Sequence, residues 1–222
     1  MNTNTEQPLG QSLRRKHKGW AFMFAMMSVV AVLLISLLIY QKERLHLAKE
    51  KVEDALTGSA LGSLSMNYGI YISSDNRMFN DREKAYEDLC NLIGSNLNLH
   101  RNGTYYSTSE ISNYNGLLNT DKYPACLKKA ILYEIVGDKV IAYIYNSTSD
   151  PSITHPANSE KSNLSKTPYS DYSITIEEYD INSKAPNGAI IDTVGIYMEF
   201  KFPLKIFNNE KYITKNIYVD ID

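Results

Sequence analysis

The chain has 222 residues, 43% hydrophobic and 22% charged, which excludes disorder along its whole length and leaves room for one ordinary domain with appendages. A net charge of -2 gives no electrostatic footing for nucleic acid as a partner. Two cysteines and four scattered histidines exclude a disulfide-dense scaffold and a four-cysteine zinc site, and no cofactor or metal is expected.

Residues 1–19 read as a basic tail carrying Arg14, Arg15, Lys16 and Lys18. Residues 20–40, WAFMFAMMSVVAVLLISLLIY, contain no charge and no proline. A helix of that length is about 31 Å long, close to the ~30 Å hydrocarbon core of a bilayer. Trp20 and Tyr40 stand at its ends, where amphipathic rings favour the interface. The run is longer than the roughly 7–15 apolar residues of a secretory signal and shows no small-x-small site before the charges resume, so an uncleaved transmembrane helix is predicted. Lys42, Arg44, Lys49 and Lys51 balance the basic residues of the tail. The shortness of the tail therefore decides orientation: N-terminus cytoplasmic, bulk of the chain extracytoplasmic, in the cell membrane. With the tail's four basic residues and Glu6 set aside from 23 basic and 25 acidic residues, the remainder carries a formal -5, unsuited to lying on anionic lipid.

Residues 41–66 lack proline and first reach glycine at Gly58. Leu45, Ala48, Val52, Ala55, Leu56, Ser59, Ala60, Ser63 and Leu64 recur at three- and four-residue spacing, which predicts an amphipathic helix continuing from the membrane segment. The small residues of ALTGSALGS allow close approach by a sheet or another helix. A solvated stalk or a short parallel coiled coil would carry the same charges.

Residues 67–222 read as an α+β domain. Asn80 is a candidate cap for the helix DREKAYEDLCNLIG, with Glu83 three residues on and Gly94 at its end. A polar stretch follows to about Pro124. ILYEIV and KVIAYIY flank Gly137 and Asp138, a hairpin signal, and their apolar residues on both faces suit central strands covered by helix. YSITIEEY alternates. Val194, Ile196, Met198, Phe200 and Phe202 point one way while Tyr197, Glu199 and Lys201 point the other. Ile217, Val219 and Ile221 share a face of a last strand. About five strands are expected, antiparallel because hairpin-length links dominate. Residues 146–168 read as a long polar loop, either a spacer or a recognition segment.

Signs of chemistry are sparse. Cys90 and Cys126 are a candidate disulfide, which would close a loop of about 36 residues for roughly 3–4 kcal/mol, or else two small buried hydrophobes. Neither cysteine has local support for a nucleophilic pairing with His100 or His155. Asp220 and Asp222 share a strand face, which more simply marks a solvated end. Metalloprotease, serine-hydrolase and phosphate-loop motifs are not found, and no catalytic residue is assigned. The chain ends in YVDID with no apolar tail, so the expected attachment is N-terminal.

RRKHKGW before the apolar span, VEDALTGSALGS after it, and IYMEFKFPLKIF followed by IYVDID resemble pilin-like proteins, in particular the minor pseudopilins of TadE/TadG-like tight-adherence pilus systems of Gram-positive bacteria. The resemblance implies a pilin-like fold and no enzymatic activity. It implies other pilin-like subunits and a prepilin peptidase as partners besides the bilayer, with the candidate cleavage site between Gly19 and Trp20. The chain departs from that family at Phe24, where pilins carry a glutamate, a group that in lipid needs a partner within the filament. The implied role is a non-enzymatic minor pseudopilin or assembly component of a tight-adherence-type pilus or related surface or secretion apparatus. The alternative is an anchored extracytoplasmic module that binds a cell-wall polymer or a partner protein, and an anchored enzyme is a third class.

Overall fold

A computed structural model describes residues 10–108, 124–148, 172–206 and 209–221. The chain divides into two compact units, Met1–Arg44 and Leu45–Asp222. Helix α1, Gly10–Ser63, supplies the structure of the first unit and the opening of the second.

In the first unit every large hydrophobic side chain from Trp20 to Tyr40 stands exposed. Among the described residues α1 is the one helix long and apolar enough to cross a membrane. It fits a single-pass membrane anchor near the N-terminus, because an all-round apolar surface that no protein covers needs a lipid solvent.

In the second unit α1 changes character. Ala48, Val52, Ala55, Leu56, Ser59, Ala60 and Ser63 are buried, and Leu45 and Leu64 pack at the margin of the same cluster. The stripe expected from the spacing is the stripe that the fold buries. Short helix α2, Tyr68–Ser74, follows, capped by the Asn67 side chain, which accepts from the Ile70 N–H at 3.2 Å.

Helix α3, Arg82–Leu97, begins one residue later than expected. Asp81 is the cap: its backbone is extended and its carboxylate accepts from the Lys84 N–H at 3.0 Å. Asn80 instead donates its backbone N–H to Ser65. Nor does Gly94 end the helix, which continues to Leu97 and closes on Asn98 in the left-handed region. Gly94 serves close approach: a Cβ there would lie 3.1 Å from the carbonyl oxygen of Leu99.

Among the described residues the sheet has seven strands, all paired antiparallel: β1 (Leu99–Asn102), β2 (Tyr105–Thr108), β3 (Ala125–Val136), β4 (Lys139–Ser147), β5 (Tyr172–Asp180), β6 (Gly195–Ile206) and β7 (Asn209–Asp220). The main order is β7-β6-β3-β4-β5, with the β1–β2 hairpin joined to the start of β3. The α+β class and the antiparallel sheet are as expected. The two additional strands, β1 and β2, lie where a polar loop was expected. Their turn is Gly103 and Thr104, and that of β3–β4 is Gly137 and Asp138, each with glycine at positive φ in the first loop position.

Leu127, Leu132, Ile196, Met198, Phe200 and Phe202 meet α1 and α3 in the main core. The inward positions of β3 shift from Ala125 and Leu127 to Ala130 and Leu132, the mark of a bulge at Lys128 and Lys129. The opposite face holds Ile131, Tyr133, Val140, Ala142, Ile144 and Tyr197. Among the described residues no helix covers that face. Ala185 and Ile191, in the connection between β5 and β6, pack on it instead.

Candidate functional site

Among the described residues, the second unit has a cleft of about 570 Å³ beside the start of α3. Tyr143 and Tyr145 of β4 line it with Ile174 and Ile176 of β5, opposite Phe79 and Arg82. The pairing Tyr143 with Ile176 and Tyr145 with Ile174 puts all four on one sheet face. Tyr145 also stacks on Tyr86 of α3, ring centroids 4.0 Å apart, and Tyr172 meets Tyr86 edge-on at 4.9 Å.

Glu134 of β3 lies at the cleft with its side chain fully buried. Its Oε1 accepts from the Phe79 N–H at 2.9 Å and lies 3.5 Å from Arg82 Nε. Oε2 is buried without a hydrogen bond. Burial raises the Glu134 pKa, against the lowering effects of the Phe79 N–H and the Arg82 charge. Arg82 in turn lies over the Tyr143 ring, 4.2 Å from its centroid. Arg77 exchanges two backbone hydrogen bonds with Ile135 next door, both 2.8 Å. Glu134 therefore fastens the connection between α1 and α3 to the sheet. Sequence reasoning missed it, although a lone acid inside ILYEIV, a strand apolar on both faces, is a signal that the carboxylate must find partners indoors.

A second concavity holds Arg101, which is fully engaged. It donates to Glu87 at 2.6 and 3.0 Å, to Asn91 at 2.8 Å and to the Gly103 carbonyl at 2.9 Å. The Arg101 hydrogen bond holds the Glu87 carboxyl below its usual range. This cluster pins the β1–β2 hairpin to α3.

Cys90 and Cys126 are separate buried thiols, not the candidate disulfide. Cys90 faces the main core from α3, where its carbonyl accepts from the Tyr106 hydroxyl at 3.1 Å. Tyr106 pairs with Ala125, so Cys126, one residue on, leaves β3 from the other face. Burial pushes the Cys90 thiol up to about 11, the opposite of what a nucleophile needs. His100 lies exposed on β1, while His155 and most of the loop expected over residues 146–168 fall outside the described residues. Asp220 closes β7, and Asp222 also falls outside them. Gly19 and Trp20 are exposed and lie within α1. Among the described residues no group of three metal-ligating side chains converges.

No protein-family model, curated protein or solved structure matches the chain.

Proposed function

We propose that this protein is a non-enzymatic, membrane-anchored subunit or assembly component of a pilin-like surface or secretion apparatus, of the tight-adherence type. The observation that carries the reading is the double use of α1: residues 20–40 are apolar all round and uncovered, while Ala48 to Ser63 seals the main core of a sheet domain. The basic tail argues for a cytoplasmic N-terminus and an extracytoplasmic domain. The apolar helix holds the subunit in the bilayer, and assembly exchanges lipid contacts for helix–helix contacts, driven by packing. Buried Cys90 and the structural engagement of Glu134 and Arg101 fit a mechanical role. The test is the intact mass of the protein from its native membrane. A chain beginning at Trp20 supports processing by a prepilin peptidase, whereas one that retains Met1 overturns the processed-subunit form and leaves a permanent anchor.

The cleft beside Glu134 favours a second reading, an anchored module that holds a cell-wall polymer or a partner protein. Its aromatic floor offers stacking surface for such a ligand. Tyr143→Ala would abolish capture in that reading and leave assembly intact in the first.

A further inference from the structure

We propose that the β5 edge of one copy accepts the β7 edge of a second copy, so that the sheet continues from molecule to molecule. This deepens the assembly reading by supplying a contact between copies, and the N-terminal mass that tests processing is independent of it.

Among the described residues β5 pairs with β4 alone, and β7 with β6 alone. Each therefore has one side along which no other described strand takes its backbone donors and acceptors. From Ser173 to Asp180 every residue of β5 is exposed, including Ile174 at 51% and Ile176 at 63%. Edges are normally blunted by charges, lysine above all, by proline or by a bulge; β5 has no lysine, proline or bulge, and its charges are all acidic.

Charge selects the occupant. β5 carries Glu177, Glu178 and Asp180 and no basic residue. Lys139 of β4 answers part of this, 2.7 Å from Asp180 and 3.7 Å from Glu178. On β7, Lys211 and Lys215 alternate with Ile213 and Ile217 on the face that meets the main core. Two β5 edges would bring together three carboxylates from each copy, and two β7 edges would oppose lysines. A β5–β7 contact matches acid with base and isoleucine with isoleucine, so it is the pairing these edges specify.

Topology fixes its direction. Each step in β7-β6-β3-β4-β5 is antiparallel, so β5 and β7 run the same way within one molecule. A copy related by translation alone pairs them in parallel. Setting Ile176 beside Ile213 then sets Glu178 beside Lys215, whose Nζ already lies 2.6 Å from Glu53. In the reverse direction Glu178 would meet Lys211. The contact is head-to-tail and leaves both outer edges free, so it propagates into rows.

Cross-linking of the full chain in lipid vesicles tests this. Within one molecule β5 and β7 stand four strand spacings apart, about 19 Å, beyond the ~7 Å reach of a disulfide. Any bond between them is therefore between copies. Glu178→Cys and Lys215→Cys proteins, mixed and mildly oxidised, should give a covalent dimer at least tenfold above either alone. Glu177→Cys with Thr214→Cys, on the other face, should do the same and guards against loss of the Glu53 contact. Monomer from both mixtures overturns the proposal, whether or not slow amide exchange shows that the chain covers its own β5. Equal yields from Glu178→Cys alone overturn it in favour of a symmetric β5 dimer. Cross-links in native membranes to a chain of different mass, with none in purified vesicles, make another protein the occupant and also overturn it.

Discussion

The two stretches of α1 are built from much the same apolar residue types and have opposite fates. Between residues 20 and 40 no face is polar, and every large side chain is exposed. From Leu45 onward, Glu50, Lys51 and Glu53 alternate with Ala48, Val52, Ala55 and Leu56, and only the apolar face is buried. Composition makes both helical. Periodicity decides what each can be covered by: a stripe needs a sheet, an uninterrupted apolar surface needs lipid. The lesson concerns the solvent each stretch is written for.

Truncating matched leucines breaks that comparison most sharply. Leu56 is fully buried in the main core and Leu34 is 57% exposed. Leu56→Ala should cost the domain about 2–5 kcal/mol in denaturant unfolding monitored by tyrosine fluorescence. Leu34→Ala should leave that transition unmoved, because it removes nothing the domain packs against. Equal losses would mean that the first stretch also belongs to a protein core.

A subtler contrast uses two serines that bond to their own helix. Ser28 donates to the Ala25 carbonyl at 2.8 Å and Ser59 to the Ala55 carbonyl at 2.6 Å. Only Ser59 has a tertiary role, accepting from Asn96 Nδ2 at 2.9 Å where α1 meets α3. Ser59→Ala should therefore cost about 1 kcal/mol and Ser28→Ala nothing, by the same unfolding measurement.

These fates also mark how much was legible. The buried stripe of α1 and the inward run from Val194 to Phe202 were readable because a one-sided core imposes a period, 3.6 for the helix and 2 for the strand. The hairpin of β1 and β2 was not read, because LHRN and YYST are only four residues each and too short to show a period. The turn itself was visible: Gly103 opens it at positive φ, as Gly137 opens the β3–β4 turn. Gly94 misled for a different reason, since glycine serves both helix ends and close contacts and only the neighbouring Leu99 backbone tells which. The cleft was illegible because it joins residues from α3, β3, β4 and β5, a juxtaposition that exists only after folding. The edge position of β5 among the described strands was half legible: its alternation reads as a strand, but exposure of its isoleucines is a property of the sheet order.

The smallest expected effect is electrostatic and separates the stretches by what they lack. Residues 20–39 contain no titratable side chain, so pH dependence of stability must come from the domain. Glu134 carries a folded-state pKa above its unfolded value because it is buried. Its stabilising contribution is thus complete below the unfolded pKa, about 4.3, and declines as pH rises through the folded pKa. Glu134→Gln keeps an oxygen for the Phe79 N–H and removes the proton equilibrium, so relative to the native chain it should gain stability as pH rises from 4 to 8. Glu87 works the other way: Arg101 depresses its pKa, so its contribution is present above the unfolded value and lost as pH falls through the folded one. Paired unfolding curves of the native chain, Glu134→Gln and Glu87→Gln across that range separate the two, because only the first substitution should change the slope on the neutral side. A Glu134→Gln curve parallel to the native one would mean that Arg82 holds the carboxylate charged throughout, and that the connection leaving the second stretch of α1 is fastened by an ion pair instead of a buried acid.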